Sequence, residues 1–226
     1  MDERARAEEH LRIIRSLMER VTTYRTISAP TALVGGLSSL LIAAWLLARS
    51  GVFGEAARPR PLGTREFILP WIVPLVLTVT ANTLFLWREA RREGRPFLSS
   101  GLRLALRSLL PAILIAAAIT FVGWRNPTDL DGPLIVTLSW ISCYGLALLA
   151  TANFSPRSLA VLGWSFVVTA VFWLLLISAP NLPIGPVVYR AEGANFAMGL
   201  TFGAYHLIYA VTTWSSGRRT ATAERE

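Results

Sequence analysis

Six stretches of this chain carry no Asp, Glu or Arg over lengths that suit a bilayer crossing: 31–48, 68–87, 108–124, 134–152, 158–178 and 195–215. About 20 helical residues cross a hydrocarbon core of about 30 Å. A closed barrel would show segments of about ten residues with alternating polarity. These runs are continuous, and a helix satisfies its own backbone inside lipid. The predicted fold is therefore all-α: a polytopic membrane protein, a six-transmembrane-helix bundle with a cytoplasmic amphipathic N-terminal helix. Composition points the same way, with 53% hydrophobic and 16% charged residues against about 25% charged in soluble domains. Mean hydropathy is +0.48.

Arginine placement sets the orientation. All 22 basic residues are Arg, which excludes chemistry that needs a lysine amine, such as a Schiff base or a phosphate-loop lysine. With the N-terminus inside, sixteen arginines fall in the cytoplasm and six outside. The positive-inside bias thus predicts both termini in the cytoplasm. It also accounts for the net charge of +8 without nucleic acid. Trp45, Trp71, Trp87, Trp124 and Trp214 lie near span ends, as an interfacial belt requires. The first apolar run follows about 30 charged and polar residues, longer than the leader of a signal peptide, so it is expected to be retained as a span.

The organisation read from these signals is a cytoplasmic helix over 1–27, a membrane domain over 28–217 and a cytoplasmic tail over 218–226. Ser28-Ala29-Pro30, Asp131-Gly132-Pro133 and Ser155-Pro156 resemble helix starts, a polar cap with proline in the first turn. The outside loop 179–192 holds Pro180, Pro183 and Pro186 and is expected to be extended. Cys143 is the single cysteine, so no intramolecular disulfide forms. Asp129-Leu130-Asp131-Gly132 lacks the closing glutamate of a calcium loop and reads as a turn and cap.

In the N-terminal segment, Leu11, Ile14, Met18 and Val21 form an apolar stripe, widened by Ile13, Leu17 and Tyr24. Such a helix lies in the headgroup layer or packs on a partner helix. Its mixed charges favour packing against protein. Ala32 with Gly36, and Gly35 with Ser39, supply small residues four apart in the first span, within one subunit or between two. A homo-oligomer seam at Gly36 is therefore one expectation.

His206 is the ionisable residue placed deepest in a span, and such residues are functional candidates. At 100° per residue it shares a small or polar face with Asn195, Gly199, Gly203, Ala210 and Thr213. It serves as a proton-relay or ligand group, or as a neutral imidazole bonded to a neighbouring helix. The second reading is the more economical. Pro70, Pro74, Thr78 and Asn82 recur every four residues in the second span, where they kink the helix or line a cavity. Asn82 needs a buried partner, and His206 or Asn195 would serve. Arg88, Arg91, Arg92, Arg95, Arg103 and Arg107 form a basic cytoplasmic shelf, explained by topology and anionic lipid. An acidic or phosphorylated partner is the rarer alternative.

No metal-ligand spacing, Gly-x-Ser-x-Gly elbow or Gly-rich phosphate loop occurs. A bis-histidine haem lacks its second intramembrane imidazole. No Asp or Glu falls inside the six runs. No catalytic residue, metal or cofactor is expected, and no nucleic-acid partner. The segments His10-Leu-Arg-Ile-Ile-Arg-Ser-Leu-Met-Glu-Arg20, Thr23-Tyr-Arg-Thr-Ile-Ser-Ala-Pro30 and Leu86-Trp-Arg-Glu-Ala-Arg-Arg-Glu-Gly-Arg-Pro96 resemble uncharacterised bacterial multi-span inner-membrane proteins. That resemblance implies a bacterial inner-membrane location and no particular activity. The leading functional expectation is a non-enzymatic membrane subunit, a scaffold or sensor-like component that assembles with itself or a partner. Rivals are a small channel or transporter with a pathway between spans 2 and 6, past Asn82, Asn195 and His206, and a lipid-acting enzyme.

Overall fold

The computed structural model describes residues 8–11, 28–50, 62–92, 94, 96–98, 100–127, 132–152, 155–178 and 191–223, and among these it is all-helical. The helices are α1 (Ala29–Arg49), α2 (Thr64–Arg92), α3 (Ser100–Arg125), α4 (Gly132–Ala150) and α5 (Arg157–Ile177). A sixth helical element follows as α6 (Ala191–Met198), a π-helical stretch (Gly199–Tyr205) and α7 (His206–Ala223), joined end to end. Helices α1 to α5 are each long and apolar enough to cross a membrane. The sixth apolar run is shared among three helical pieces.

Local chemistry explains the starts. Ser28 caps α1: its hydroxyl accepts from the Thr31 amide at 3.3 Å, with proline in the first turn. Residue 131 lies outside the described residues, so its cap is not placed. The expected cap at Ser155 is corrected. Pro156 occupies the cap position of α5 with no side-chain bond, and the Ser155 hydroxyl is buried without a partner. Proline does not break α2, which runs unbroken through Pro70 and Pro74. The Thr78 hydroxyl donates to the Pro74 carbonyl at 2.6 Å.

Contacts of Thr31 with Asn82 and Gly35 with Thr78, of Arg65 with Trp124, of Gly123 with Val136 and Thr120 with Trp140, and of Gly145 with Gly163 run successive helices antiparallel, so the bundle has two ends. The near end gathers the starts of α1, α3 and α5 and the finishes of α2 and α4. The far end gathers their opposites and the start of α6. Helix α1 is sandwiched, packing on α2 along one side and on the sixth element along the other. Helix α4 packs on α3, α5 and α6. Small residues set these approaches. A Cβ on Gly35 would meet Thr78 Oγ1 at 2.8 Å, and one on Gly36 would meet Leu207 Cδ2 at 2.7 Å. The small residues of α1 therefore serve contacts inside the protomer. Gly36 faces α7 and is buried there, not presented as an outward seam.

Two apolar clusters fill the interior. One joins Ile141, Leu148, Leu159, Leu162, Phe166 and Tyr209 through the middle and near end. The other, at the far end, joins Leu46, Phe67, Trp71, Leu134, Ala194 and Met198. Outward, Leu41, Val76, Leu114, Phe121, Val161 and Leu175 are exposed, a surface suited to lipid contact. The tryptophans divide. Trp45 and Trp87 are exposed near helix ends and Trp214 is exposed in the middle of α7, whereas Trp71 is buried in the far cluster rather than sitting in an interfacial belt.

Candidate functional site

His206 begins α7 at the end of the π-helical stretch, and it is buried, 4% exposed. Its Nδ1 lies 3.3 Å from the Thr201 carbonyl. A carbonyl only accepts, so Nδ1 carries the proton. Nε2 is 2.9 Å from the Tyr144 hydroxyl of α4, and in the neutral ring it accepts from that hydroxyl. Both ring nitrogens are engaged. Phe202 stacks parallel to the imidazole at 6.1 Å between centroids, and Phe166 of α5 meets it edge-on at 5.7 Å. Tyr205, four residues after Thr201, pairs its hydroxyl with Thr169 of α5 at 2.9 Å. The arrangement fastens the sixth element to α4 and α5 through polar bonds inside an aromatic wall.

The sequence-derived neighbours of His206 lie elsewhere. Asn82 accepts from the Thr31 hydroxyl at 3.3 Å, at the near end of α1. Asn195 donates from Nδ2 to the Ala43 carbonyl at 2.8 Å, at the far end of α1. Thr78 packs on Gly35. Asn82 and Thr78 face Thr31 and Gly35 of α1, whereas Gly36 of α1 faces the sixth element, so Asn82 and Thr78 are not brought together with His206 and Asn195. Arg88, Arg91, Arg92, Arg103 and Arg107 are exposed at the near end, with the Arg91 guanidinium 4.3 Å from the Trp87 ring centre. Arg95 lies outside the described residues. So do Ile14, Met18 and Val21, while Leu11 is exposed in the short helical segment 8–11.

A second constellation was not read from the sequence. Helix α6 starts at Ala191 and takes in Glu192, which the apolar-run reading left in the outside loop. Glu192 is only 8% exposed and Asn195 only 1%, three residues apart on α6. Among the described residues, Glu192 Oε2 and Asn195 Oδ1 have no hydrogen-bond partner. Thr137 Oγ1 on α4 and Trp71 Nε1 on α2 are likewise buried and unpartnered. Trp71 shares the far-end cluster with Ala194, and Val136 and Leu138 flank Thr137 in it. Unmet polar atoms at this burial are rare in native interiors. The apolar-run rule, which stops each run at a charged residue, conceals Glu192; its spacing of three from Asn195 was the available signal.

Compared with models of protein families, with curated proteins and with solved structures, the chain matches none.

Proposed function

We propose that this chain is a bacterial inner-membrane protein of six spans with both termini in the cytoplasm, a non-enzymatic, sensor-like subunit that assembles with itself or a protein partner. The sixth span is the element from α6 through α7, and the near end of the bundle is the cytoplasmic end. The arginine count supports that orientation, and the resemblance of the N-terminal segments supports the bacterial location.

The observation that carries the reading is the π-helical stretch between the far-end polar residues and His206. Such stretches are uncommon and frequently mark functional positions. One residue gained or lost in an α-helical register turns everything beyond it by about 100° and moves it by about 1.5 Å. A change at the far end of α6 is thereby convertible into a rotation of α7, whose end carries the tail toward the cytoplasm. The amphipathic stripe of Leu11, Ile14, Met18 and Val21 is the surface through which a partner or second copy would read it.

Purification in mild detergent tests this, comparing the whole chain with a variant lacking residues 1–25. The whole chain is expected to elute as an oligomer or with a stoichiometric partner, and the truncated chain as a smaller species. Monomers without partner in both cases would overturn the assembly reading. Topology has its own test in a Cys143→Ala background. An impermeant maleimide is expected to label Asn126→Cys in intact cells and Ser158→Cys only after lysis. The reverse pattern would invert the orientation.

A further inference from the structure

We propose that Glu192, Asn195 and Thr137 form a binding site for a monovalent metal cation, with Na+ as the ion to test first. The inference goes beyond the assembly reading and does not depend on it.

The argument begins with what each oxygen lacks. Asn195 donates its amide nitrogen to the Ala43 carbonyl; that carbonyl only accepts, which fixes the amide's orientation and leaves Oδ1 as the unmet atom. Glu192, three residues earlier, lies on the same side of α6, with Oε2 unmet. Thr137 differs from most of the helix threonines and shares its buried, unpartnered hydroxyl with Thr213 of α7. Thr78, Thr83, Thr120, Thr169, Thr201 and Thr212 each donate to the carbonyl four residues back. The Thr137 hydroxyl makes no such bond although it is fully buried. Its helix packs directly against α6.

Three buried oxygens that can all accept, one of them from a carboxyl group, thus lie without partners on two helices packed against each other. An ionised carboxylate there is costly unless a charge compensates it. Anions are repelled by it. Calcium takes six to eight oxygens, commonly several carboxylates. Among the described residues no group of three or more His, Cys, Asp and Glu could hold a metal ion, so transition-metal chemistry lacks its donors. A proton would neutralise Glu192 but serve at most one further oxygen. A hard monovalent cation serves all three at once, with water completing its shell. Such a water also supplies an acceptor for Trp71 Nε1, which can only donate.

The test uses the whole chain in mild detergent at fixed pH and ionic strength, replacing N-methylglucamine chloride stepwise by NaCl. The thermal midpoint of the parent is expected to rise and saturate with Na+. Equilibrium dialysis with radioactive Na+ is expected to find one ion per chain. Glu192→Gln is expected to weaken Na+ binding at least tenfold. Thr137→Val keeps the side-chain shape, and it is expected to weaken Na+ binding with little change in the Na+-free midpoint. It carries the test if Glu192→Gln fails to fold. Equal midpoints in Na+ and N-methylglucamine, with no bound ion, would overturn the proposal. So would an undiminished Na+ response in both variants.

Discussion

His206→Ala is expected to destabilise the protein in detergent by several kcal/mol, and most of that loss is expected from packing rather than from the lost proton acceptor. The imidazole is buried against Phe202, Phe166 and Tyr144. Truncating a buried ring leaves a cavity worth about 2–4 kcal/mol. Leaving the Tyr144 hydroxyl unpaired adds about 1–3 kcal/mol in a water-soluble interior, although intramembrane hydrogen bonds average only about 0.6 kcal/mol. The cavity therefore dominates. Tyr144→Phe alone removes the bond without a cavity and is expected to cost about 1 kcal/mol or less. In the double variant the two losses are expected to sum to less than their separate values, since the first change already forfeits the shared bond. Thermal midpoints of the four proteins measure this. A His206→Ala midpoint equal to the parent's would show that the imidazole does not fasten α7 to α4 and α5.

That locking role was half visible in the sequence. A polar and small face running through Asn195, Gly199, Gly203, His206 and Ala210 is legible at 100° per residue, and all five are buried. Which helix receives that face was not legible. Hydropathy gives the same score to every apolar neighbour, so nothing distinguished α4 and α5, which receive His206, from α2, which does not. The π-helical stretch was also hidden, because no residue type marks it. It alters the wheel beyond Gly199, and Leu207, which lies off the small and polar face at 100° per residue, packs on Gly36 of α1.

Helix existence was the most legible feature, since long uncharged runs have few other stable forms in lipid. Helix length was less so. Counting stops at the first charge, yet α2 continues to Arg92 and α3 begins at Ser100, because exposed arginines extend a helix past the apolar region without penalty. The same rule misplaced Glu192 for a different reason. Its charge ended the run on paper, while in the fold it enters the bundle with the helix. Small residues were legible as packing signals but not as to partner: Gly36 reads equally as a seam between subunits and as a contact within one.

Gly145→Leu is expected to be the most disruptive substitution in the bundle. A Cβ at Gly145 would lie 2.9 Å from Phe166 Cβ, 3.0 Å from the Gly163 carbonyl oxygen and 3.0 Å from Val167 Cγ2. The contact is reciprocal: a Cβ on Gly163 would lie 3.0 Å from Leu149 Cγ, 3.1 Å from the Gly145 carbonyl oxygen and 3.1 Å from Leu148 Cβ. At each glycine one obstacle is the other's backbone oxygen, which no rotamer change can move aside. The helices must separate, and close backbone approach is the main source of helix association where lipid is as apolar as the side chains. Even a single added methyl, Gly145→Ala, is expected to cost about 1–3 kcal/mol. Leucine adds three more carbons into a layer already filled by Phe166. Gly35→Ala is the informative contrast. Its obstacle is the Thr78 side chain alone, at 2.8 Å from Oγ1, which yields by rotating at the loss of its bond to the Pro74 carbonyl. The expected order of thermal midpoints is Gly35→Ala above Gly145→Ala above Gly145→Leu, with Gly145→Leu yielding little folded protein. If Gly145→Leu melted with the parent, α4 and α5 would have to be farther apart than these distances, and the wall that Phe166 builds around His206 would lose its support.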